Sequence, residues 1–467
     1  MMRLLLLLMA VFVGGCATRP VPVPPSATTA SLVGVRAEQL DPAYWIARQD
    51  DAQRRRMTAA AIAAQNARMV ADDPAVHDLA AVPATLPRAD IEAAIRALSA
   101  PPTRALFDGD GNPVPQATLD ALADDLALET IGANVAPAFA LVTQRADLRT
   151  FPATLRVFST PGDTDIDRFQ ESALFPGTPV AVLHRSRDGA WSFVASALYR
   201  AWIESRFLAS GERATVLDYA TREPHVVVTG ATARTVFTRE QPQVSDLQLD
   251  MGVRVPLRAD WPADVPVNGQ HPLSSYVIEL PIRGADGALA LVPALLPKTA
   301  DVATDYLPYT EANLLRQGFK FLGERYGWGH ADGTRDCSGF VSEVYRAVGL
   351  VLPRNTGDQA RSPALDRIVF EPNTSHARRL AVVRGLDVGD LVYIPGHVMM
   401  VIGRENDSTF VIHDVTGVSV RGADGAATRV PLNAVSVTPL ESLLAGDGTP
   451  LVDRITAIQR VRAPTPP

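Results

Sequence analysis

The segment DCSGFV at Asp336–Val341 decides the fold of the C-terminal part of the chain. It opens an amphipathic pattern, because apolar side chains recur at helical spacing at Val341, Val344, Tyr345 and Val348. Cys337 is therefore predicted at a helix N-terminus, where free backbone N–H groups and the helix dipole favour a thiolate. Asp336 opposes this effect, so we expect it either to cap the helix or to bind substrate. A buried structural thiol is the alternative for Cys337.

A nucleophilic cysteine needs a base within hydrogen-bonding reach, and the base needs an orienting group. His397 precedes the β-prone run Val398–Val401, and His413 ends the next β-prone run. A turn centred near Glu405 would make the two histidines cross-strand neighbours, about 5 Å apart. We therefore predict His397 as the base and His413 as the group that fixes its tautomer. Two unrelated strand-end histidines are the alternative.

A metal site built from Cys337, His397 and His413 is another interpretation of these residues. Zinc sites usually contain close ligand pairs such as C-x-x-C or H-x-x-x-H, and the sequence contains neither. No metal and no cofactor are therefore expected. His330, which follows Trp328-Gly329, is expected to be a solvated loop residue or to line the rim of a site.

The bulk composition indicates a multidomain globular protein. The chain has 467 residues, 47% of them hydrophobic, and a formal net charge of -7. This length predicts three or four domains. A mildly acidic chain without a basic stripe argues against nucleic acid as the main partner. The two cysteines, Cys16 and Cys337, allow one disulfide at most, so a disulfide framework is excluded.

The first residues are typical of an export signal. Arg3 precedes the apolar run Leu4–Val13, which is too short to span a membrane. The run ends in Gly14-Gly15-Cys16, which resembles a bacterial lipoprotein signal. Residues 1–15 would then be removed and Cys16 lipidated; an ordinary signal peptide that contains a cysteine is the alternative. Residues 16–37 are proline-rich and are predicted to form an extended tether.

The remaining chain divides by its pattern of elements. Residues 38–140 are predicted to be helical, with helices at Ala59–Val70, Asp90–Leu98 and Leu119–Leu128. Short β-prone runs then alternate with turns, which predicts two small all-β modules at residues 141–210 and 211–304. A hairpin with Asp188-Gly189 in its turn and strands at Pro179–His184 and Trp191–Ala195 is the clearest of these signals. Residues 305–462 mix helix and strand.

These residues together resemble the NlpC-type cell-wall cysteine peptidases. The resemblance rests on Tyr326-Gly327-Trp328-Gly329, Asp336–Val341, Pro353-Arg354, Gly389-Asp390-Leu391, Gly396-His397-Val398 and His413. Upstream, Arg145–Pro152 and Leu183–Trp191 resemble the subgroup with an N-terminal stabilising domain and two bacterial SH3-like barrels. The resemblance implies a multidomain α+β chain. A helical N-terminal region (38–140) and barrels at 141–210 and 211–304 would precede a papain-like catalytic domain at 305–462.

The resemblance also implies an activity. Cys337 would attack the amide that joins D-glutamate, through its γ-carboxyl, to a diamino acid in peptidoglycan stem peptides, with His397 and His413 completing the triad. The first barrel would wall the active site and restrict the enzyme to stems with a free N-terminal L-alanine. Asp336, Ser338 and Tyr326 are similar to residues that bind that end. Tyr199 and Trp202 are candidates for barrel residues at the cleft, although Trp202 is expected in the barrel core.

Partners and location follow from the same resemblance. We expect peptidoglycan stem peptides or wall fragments as substrate and a membrane contact through the lipid on Cys16. The protein is expected on the periplasmic side, at the outer rather than the inner membrane because Ala17 stands where an aspartate would favour inner-membrane retention. A monomer is expected. The long segment Arg361–Gly385 is expected to form a lid or a loop that crosses the cleft.

Two other functions remain open on the sequence. The first is a non-catalytic peptidoglycan-binding lipoprotein, although an inert domain would not need to keep the cysteine and both histidines. The second is a papain-like acyltransferase, which would use the same thiol chemistry with an acceptor other than water.

Overall fold

The computed structural model describes residues 33–422 and 425–462. The predicted signal peptide, Cys16 and the tether up to residue 32 lie outside these ranges. Within the described ranges, no helix is both long enough and apolar enough to cross a membrane.

The N-terminal region is helical, as predicted; its first two helices pack on the C-terminal domain, and the next two pack on the β module that follows in the chain. The three predicted helices are confirmed, with ends shifted by up to three residues. The ring of Trp45 is fully buried, 4.9 Å from the ring of Phe410 between centroids, so the first helix is anchored on the C-terminal sheet. The elements are α1 (Pro42–Ile46), α2 (Ala59–Asp72), α3 (Arg88–Leu98), α4 (Gln116–Asp125), β1 (Leu86–Pro87) and β2 (Asn134–Val135).

The next module is a seven-stranded antiparallel sheet in the order β5-β4-β8-β7-β6-β3-β9. The predicted hairpin through Asp188-Gly189 is confirmed, with Gly189 at a φ of 72°. Trp202 is fully buried beside Phe193, which confirms its expected place in the barrel core. The strands are β3 (Ala138–Val142), β4 (Ala146–Arg149), β5 (Gln170–Leu174), β6 (Pro179–Arg185), β7 (Trp191–Ala195), β8 (Arg200–Glu204) and β9 (Leu208–Gly211).

A second β-rich module follows one short helix. Three small sheets, with strand orders β13-β10-β16, β11-β12 and β14-β15, surround a core that contains Val226, Ile278 and Leu296. The elements are α5 (Arg213–Tyr219), β10 (His225–Val228), β11 (Thr232–Arg234), β12 (Gln248–Asp250), β13 (Arg254–Pro256), β14 (Ser275–Arg283), β15 (Leu289–Pro297) and β16 (Val302–Ala303).

The C-terminal domain packs helices against a six-stranded antiparallel sheet in the order β17-β22-β18-β19-β20-β21. The central helix, α7, buries Phe340 and Val344 in the same core as Met400 and Ile412 of the sheet, which fixes the helix start beside the strands that carry the histidines. The elements are α6 (Glu311–Phe319), α7 (Cys337–Arg346), α8 (Thr356–Arg361), α9 (His376–Val383), β17 (Asp366–Val369), β18 (Leu391–Ile394), β19 (His397–Glu405), β20 (Ser408–Arg421), β21 (Ala427–Pro439) and β22 (Ala457–Arg460).

The prediction of a lid at Arg361–Gly385 is wrong. This segment forms β17, an edge strand paired with β22, and α9, whose Val383 is fully buried in a core with Val392 and Ile458. The length of the segment before the Gly389-Asp390 strand suggested a loop, but its residues extend the sheet at one edge and add a helix that packs on one face of it.

Candidate functional site

Cys337 is the first residue of α7, as the sequence predicts. The Asp336 carboxylate caps the helix by accepting a hydrogen bond of 2.8 Å from the Gly339 N–H. The Cys337 Sγ lies 3.5 Å from Thr356 Oγ1 and accepts a hydrogen bond from the Val398 N–H. The thiol is therefore held between the helix start and the first residues of β19.

The pKa of this thiol is raised, whereas its position at a helix N-terminus predicts a lowered pKa. Its side chain is buried, at 5% exposure, and burial together with the neighbouring charge of Asp336 raises the pKa of Cys337 to about 12. The hydrogen bonds from Thr356 and Val398 act in the opposite direction but are weaker causes. The expected stabilisation of a thiolate at the helix start is thus outweighed, and the resting group is a neutral thiol.

The two predicted histidines form a hydrogen-bonded pair. His397 Nε2 lies 2.8 Å from His413 Nδ1, and His413 Nε2 lies 3.0 Å from Thr438 Oγ1. Burial lowers the pKa of His397 to about 4, and burial with the neighbouring His397 lowers the pKa of His413 well below its usual range. Both rings are therefore neutral near pH 7. If His397 Nε2 donates to His413 Nδ1 and His413 Nε2 donates to Thr438 Oγ1, Nδ1 of His397 is left as the free basic nitrogen.

The predicted contact between the histidines is confirmed, but the predicted register is wrong. The turn lies at Asn406-Asp407, both with positive φ, instead of being centred on Glu405. Met400 pairs with Ile412, and a bulge between Val401 and Gly403 shifts the ladder. His397 therefore meets His413 along a diagonal of the sheet and not as its direct cross-strand neighbour.

His330 was expected to be solvated, and this is wrong. Its side chain is buried, and its Nδ1 and Nε2 lie 2.8 Å from Arg354 Nη2 and 3.2 Å from Glu343 Oε1. Burial and the nearby Arg354 lower the pKa of His330 well below its usual range. The residue therefore belongs to the buried polar network behind α7.

Asp336 is the centre of that network. It accepts hydrogen bonds from the Gly329 N–H, the Gly339 N–H and the Ser338 hydroxyl, and it forms a 2.7 Å ion pair with Arg354. Burial opposes ionisation, but the charge of Arg354 and its hydrogen bonds keep the pKa of Asp336 well below its usual range. Asp336 is thus a charged helix cap whose counterion is already present within the protein.

The first β module forms a wall beside this network. Arg354 Nε donates a 2.6 Å hydrogen bond to Ser172 Oγ, and Trp328 Nε1 donates one of 3.0 Å to Gln170 O. Glu171, between these two β5 residues, accepts hydrogen bonds of 2.5 Å from the hydroxyls of Tyr199 and Thr150. No cation lies within ion-pair distance of Glu171 among residues 33–422 and 425–462.

The predicted substrate-binding residues cluster around the thiol to different degrees. Ser338 is buried; its hydroxyl donates a hydrogen bond to Asp336 and accepts one from Arg354. Tyr326 is partly exposed; burial and the nearby Cys337 raise its pKa, so its hydroxyl stays protonated. Sequence reasoning did not assign roles to Glu171, Arg354 or Thr356. Pro353-Arg354 belongs to the family motif, but nothing in the sequence reveals that the partner of Arg354 is Asp336.

Within the described residues, no group of three or more His, Cys, Asp or Glu side chains is arranged to hold a metal ion. The arrangement around Cys337 thus consists of a thiol, a hydrogen-bonded imidazole pair and a cleft walled by a β module. This is the set of groups needed for nucleophilic acyl transfer.

Comparison with known proteins identifies two domains. Residues 323–432 match the NlpC/P60 family, and residues 156–204 match an SH3 domain of the SH3b1 type. The C-terminal domain is thus an NlpC/P60 papain-like domain, preceded by an SH3b domain in a multidomain α+β chain.

The chain is also similar to individual proteins. It is 29% identical over 102 residues, 20% of this chain and 34% of the relative, to a Bacillus subtilis protein named gamma-D-glutamyl-L-lysine dipeptidyl-peptidase. A Bacillus cereus protein of the same name is 29% identical over 149 residues, 30% of this chain and 38% of that protein. The chain thus matches little more than a third of either relative. The solved structure of an NlpC/P60 endopeptidase from Photobacterium damselae subsp. piscicida superimposes with a TM-score of 0.71 at 16% identity, covering 90% of this chain and 96% of that one. This likeness concerns the fold.

Proposed function

We propose that this chain, with its NlpC/P60 domain behind an SH3b domain, is a peptidoglycan hydrolase that cuts stem peptides between the γ-carboxyl of D-glutamate and a diamino acid. One observation carries the proposal. Cys337 opens a helix and accepts a hydrogen bond from the residue after His397, whose imidazole is paired with His413 at 2.8 Å. The names of the two Bacillus relatives support this choice of substrate class.

In the proposed reaction Cys337 Sγ attacks the γ-glutamyl carbonyl carbon, and its proton passes to Nδ1 of His397. The C–N bond then breaks as His397 returns this proton to the leaving amine, which leaves a thioester. Water adds to the thioester carbonyl and gives a proton to His397. The C–S bond breaks, and Cys337 takes the proton back. The Cys337 N–H at the helix start and the protonated Tyr326 hydroxyl are the proposed donors to the oxyanion.

The free amine of the stem peptide is proposed to bind at the barrel wall. Asp336, Ser338 and Tyr326 remain the candidates from the sequence, but the charge of Asp336 is already balanced by Arg354. Among the residues that the structure describes, Glu171 accepts hydrogen bonds only from hydroxyl groups, so its negative charge is free to bind an ammonium group. We therefore add Glu171 and Tyr199 to the proposed amine-binding end.

The experiment uses the chain without residues 1–16, incubated with L-Ala-γ-D-Glu-diaminopimelate or with its N-acetylated form and analysed by mass spectrometry. Cleavage of the free form alone is expected. Cys337→Ala should abolish cleavage while circular dichroism and the melting temperature stay unchanged. Activity retained in this variant would overturn the proposal.

Other outcomes have defined meanings. Cleavage of both peptides would keep the peptidase and remove the amine-binding end. Transfer of the dipeptide to an added amine in preference to water would indicate an acyltransferase. Binding of peptidoglycan without any cleavage by reduced protein would indicate a wall-binding protein.

The proposed location is the periplasmic side of the outer membrane, through a lipid on Cys16. Incorporation of a fatty-acid label that is lost in Cys16→Ser tests this proposal. Parent protein that is found outside the membrane fraction and lacks the fatty-acid label would contradict it.

A further inference from the structure

A cavity of about 380 Å³ lies beside the histidine pair. His397 and His413 form part of its wall, and no residue of the two β modules does. We call it the leaving-side cavity; it is lined by Ile394, Pro395, His397, His413, Val415, Gly417, Val418, Ser419, Arg429, Leu443, Leu444, Ala445, Gly446, Leu451 and Arg454. A separate cavity, lined among others by Ser172, Tyr199 and Arg354, lies between the first β module and α7. The histidine pair therefore borders one cavity inside the catalytic domain, and the first β module borders another.

The chemistry assigns the two cavities to different parts of the substrate. His397 must protonate the leaving amine, so the amine-side residue has to lie next to this imidazole. The acyl side, with the free alanine end, then extends toward the barrel wall. The leaving-side cavity is thus the place for the diamino acid, and its volume lies within the range of about 300–1,000 Å³ of ordinary small-molecule sites.

The wall of the leaving-side cavity suits a long side chain with a charged end. Most of the lining is apolar, as a methylene chain requires. Two guanidinium groups are included, and that of Arg454 is paired with Asp447. Arg429 donates a 3.2 Å hydrogen bond to Thr416 Oγ1 and has no carboxylate within ion-pair distance in the part of the chain that the structure describes. Arg429 thus supplies one uncompensated positive charge.

We propose that Arg429 binds a carboxylate at the far end of the diamino acid and so selects diaminopimelate over lysine. The inference rests on the proposed function. Diaminopimelate and lysine share the methylene chain, but only diaminopimelate carries a carboxylate at its far centre. A lysine ammonium group would meet the guanidinium without a counterion. Specificity for the amine-side residue is therefore placed in the β20–β21 hairpin, away from the barrels.

The experiment compares kcat/KM for three tripeptides, L-Ala-γ-D-Glu followed by meso-diaminopimelate, by its far-end carboxamide, or by L-lysine. The carboxamide keeps the size and removes only the charge. The parent enzyme should prefer the free acid to the carboxamide by about two- to fivefold, since an exposed guanidinium–carboxylate pair contributes a factor of roughly that size. Arg429→Gln should bring the ratio close to one.

The matched control is Arg421→Gln, on the same hairpin, where the exposed arginine donates to Gly425 O and does not line the cavity. This variant should keep the parental ratio. The inference would be overturned if the parent enzyme cut the lysine or carboxamide peptide as fast as the free acid. It would also be overturned if the Arg429→Gln enzyme kept the preference. Either result would leave the proposed hydrolase intact. Failure to cut any of the three peptides would instead overturn the proposed function, and the inference with it.

Discussion

The carboxyl group of Asp414 follows His413 on β20 and is fully buried. Neither of its oxygens has a hydrogen-bond partner among the described residues, and the nearby Val415 amide lies outside hydrogen-bonding geometry. Burial, followed by the charges of Asp336 and Glu324, raises the pKa of Asp414 to about 9. The folded chain therefore keeps a proton that the unfolded chain releases above about pH 4.

This proton predicts how stability depends on pH. Between about pH 4 and 9 the native state binds one proton more than the unfolded state at this group, so its contribution to the free energy of unfolding falls as pH rises. Asp414→Asn keeps the neutral shape. We expect its stability relative to the parent to increase from pH 5.5 to 8, by at most about 1.4 kcal/mol per pH unit. Urea unfolding at four pH values measures the difference. The exposed turn variant Asp407→Asn should show no such trend, and a pH-independent difference for Asp414→Asn would contradict the assignment.

The histidine pair predicts a graded loss of activity. His397→Ala removes the proposed base and should lower kcat/KM by about 10²–10⁴-fold. His413→Gln removes only an orienting group, so roughly 10- to 100-fold is expected, as for other groups that orient a functional imidazole. Thr438→Val removes the hydroxyl that bonds His413 Nε2 and should lower kcat/KM by less still. Steady-state kinetics with matched melting temperatures tests this order, and a loss from Thr438→Val as large as that from His397→Ala would be incompatible with it.

At the scale of the element, the N-terminus of α7 combines a helix cap with a buried ion pair. Asp336→Ala removes the cap and leaves the Arg354 guanidinium buried without its carboxylate. We expect destabilisation of about 3–5 kcal/mol. The control is Thr58→Ala, which removes an ordinary cap on α2 and should cost about 1 kcal/mol. Urea unfolding of both variants gives the comparison; equal effects would mean that Arg354 finds another partner.

The elements themselves follow largely from local sequence. The apolar spacing of Val341, Val344 and Val348 and the Asp188-Gly189 turn depend on neighbours in the chain, and the helix and hairpin lie where these patterns predict. The register of β19 and β20 was not predicted, because one bulge after Val401 shifts the ladder. Gly403, with a φ of 145°, is the local sequence signal for this bulge. His330 was misassigned for a related reason: its burial depends on Arg354 and Glu343, which belong to other elements.

At the scale of the whole molecule, contacts between distant segments complete the site. Ser172 and Arg354 join the first β module to the catalytic domain, and Asp250 and Arg335 join the second one to it. The sequence shows the thiol and the histidines as motifs, but it contains no local signal for pairs that are 182 or 85 positions apart. Glu171 remained unassigned for this reason, since it is the docking of the barrel that bonds its neighbours Gln170 and Ser172 to the catalytic domain.

The Arg335 guanidinium gives this coupling a testable form. It is fully buried, with ion pairs of 2.6 Å to Glu324, 2.6 Å to Glu343 and 2.9 Å to Asp250 of β12. Arg335→Ala would leave these carboxylates without their shared cation, so we expect a loss of about 3–5 kcal/mol in stability. Hydrogen exchange should accelerate in β12 and much less in β7. The first module reaches the cluster through Arg145, which pairs with Asp250 at 3.4 Å, and β7 does not contact it.

The matched control crosses a domain boundary as well. Arg325 pairs with Asp165 at 2.8 Å, but its side chain is 69% exposed, so Arg325→Ala should cost less than about 1 kcal/mol and leave exchange in β12 unchanged. Burial, and not the mere presence of an interdomain ion pair, is then what couples the second module to the catalytic domain. Two results would contradict this: equal destabilisation by both variants, or unchanged protection of β12 from hydrogen exchange in Arg335→Ala. Apolar contacts would then be what mainly holds the second module, and the position of the catalytic helix would not depend on the buried charge.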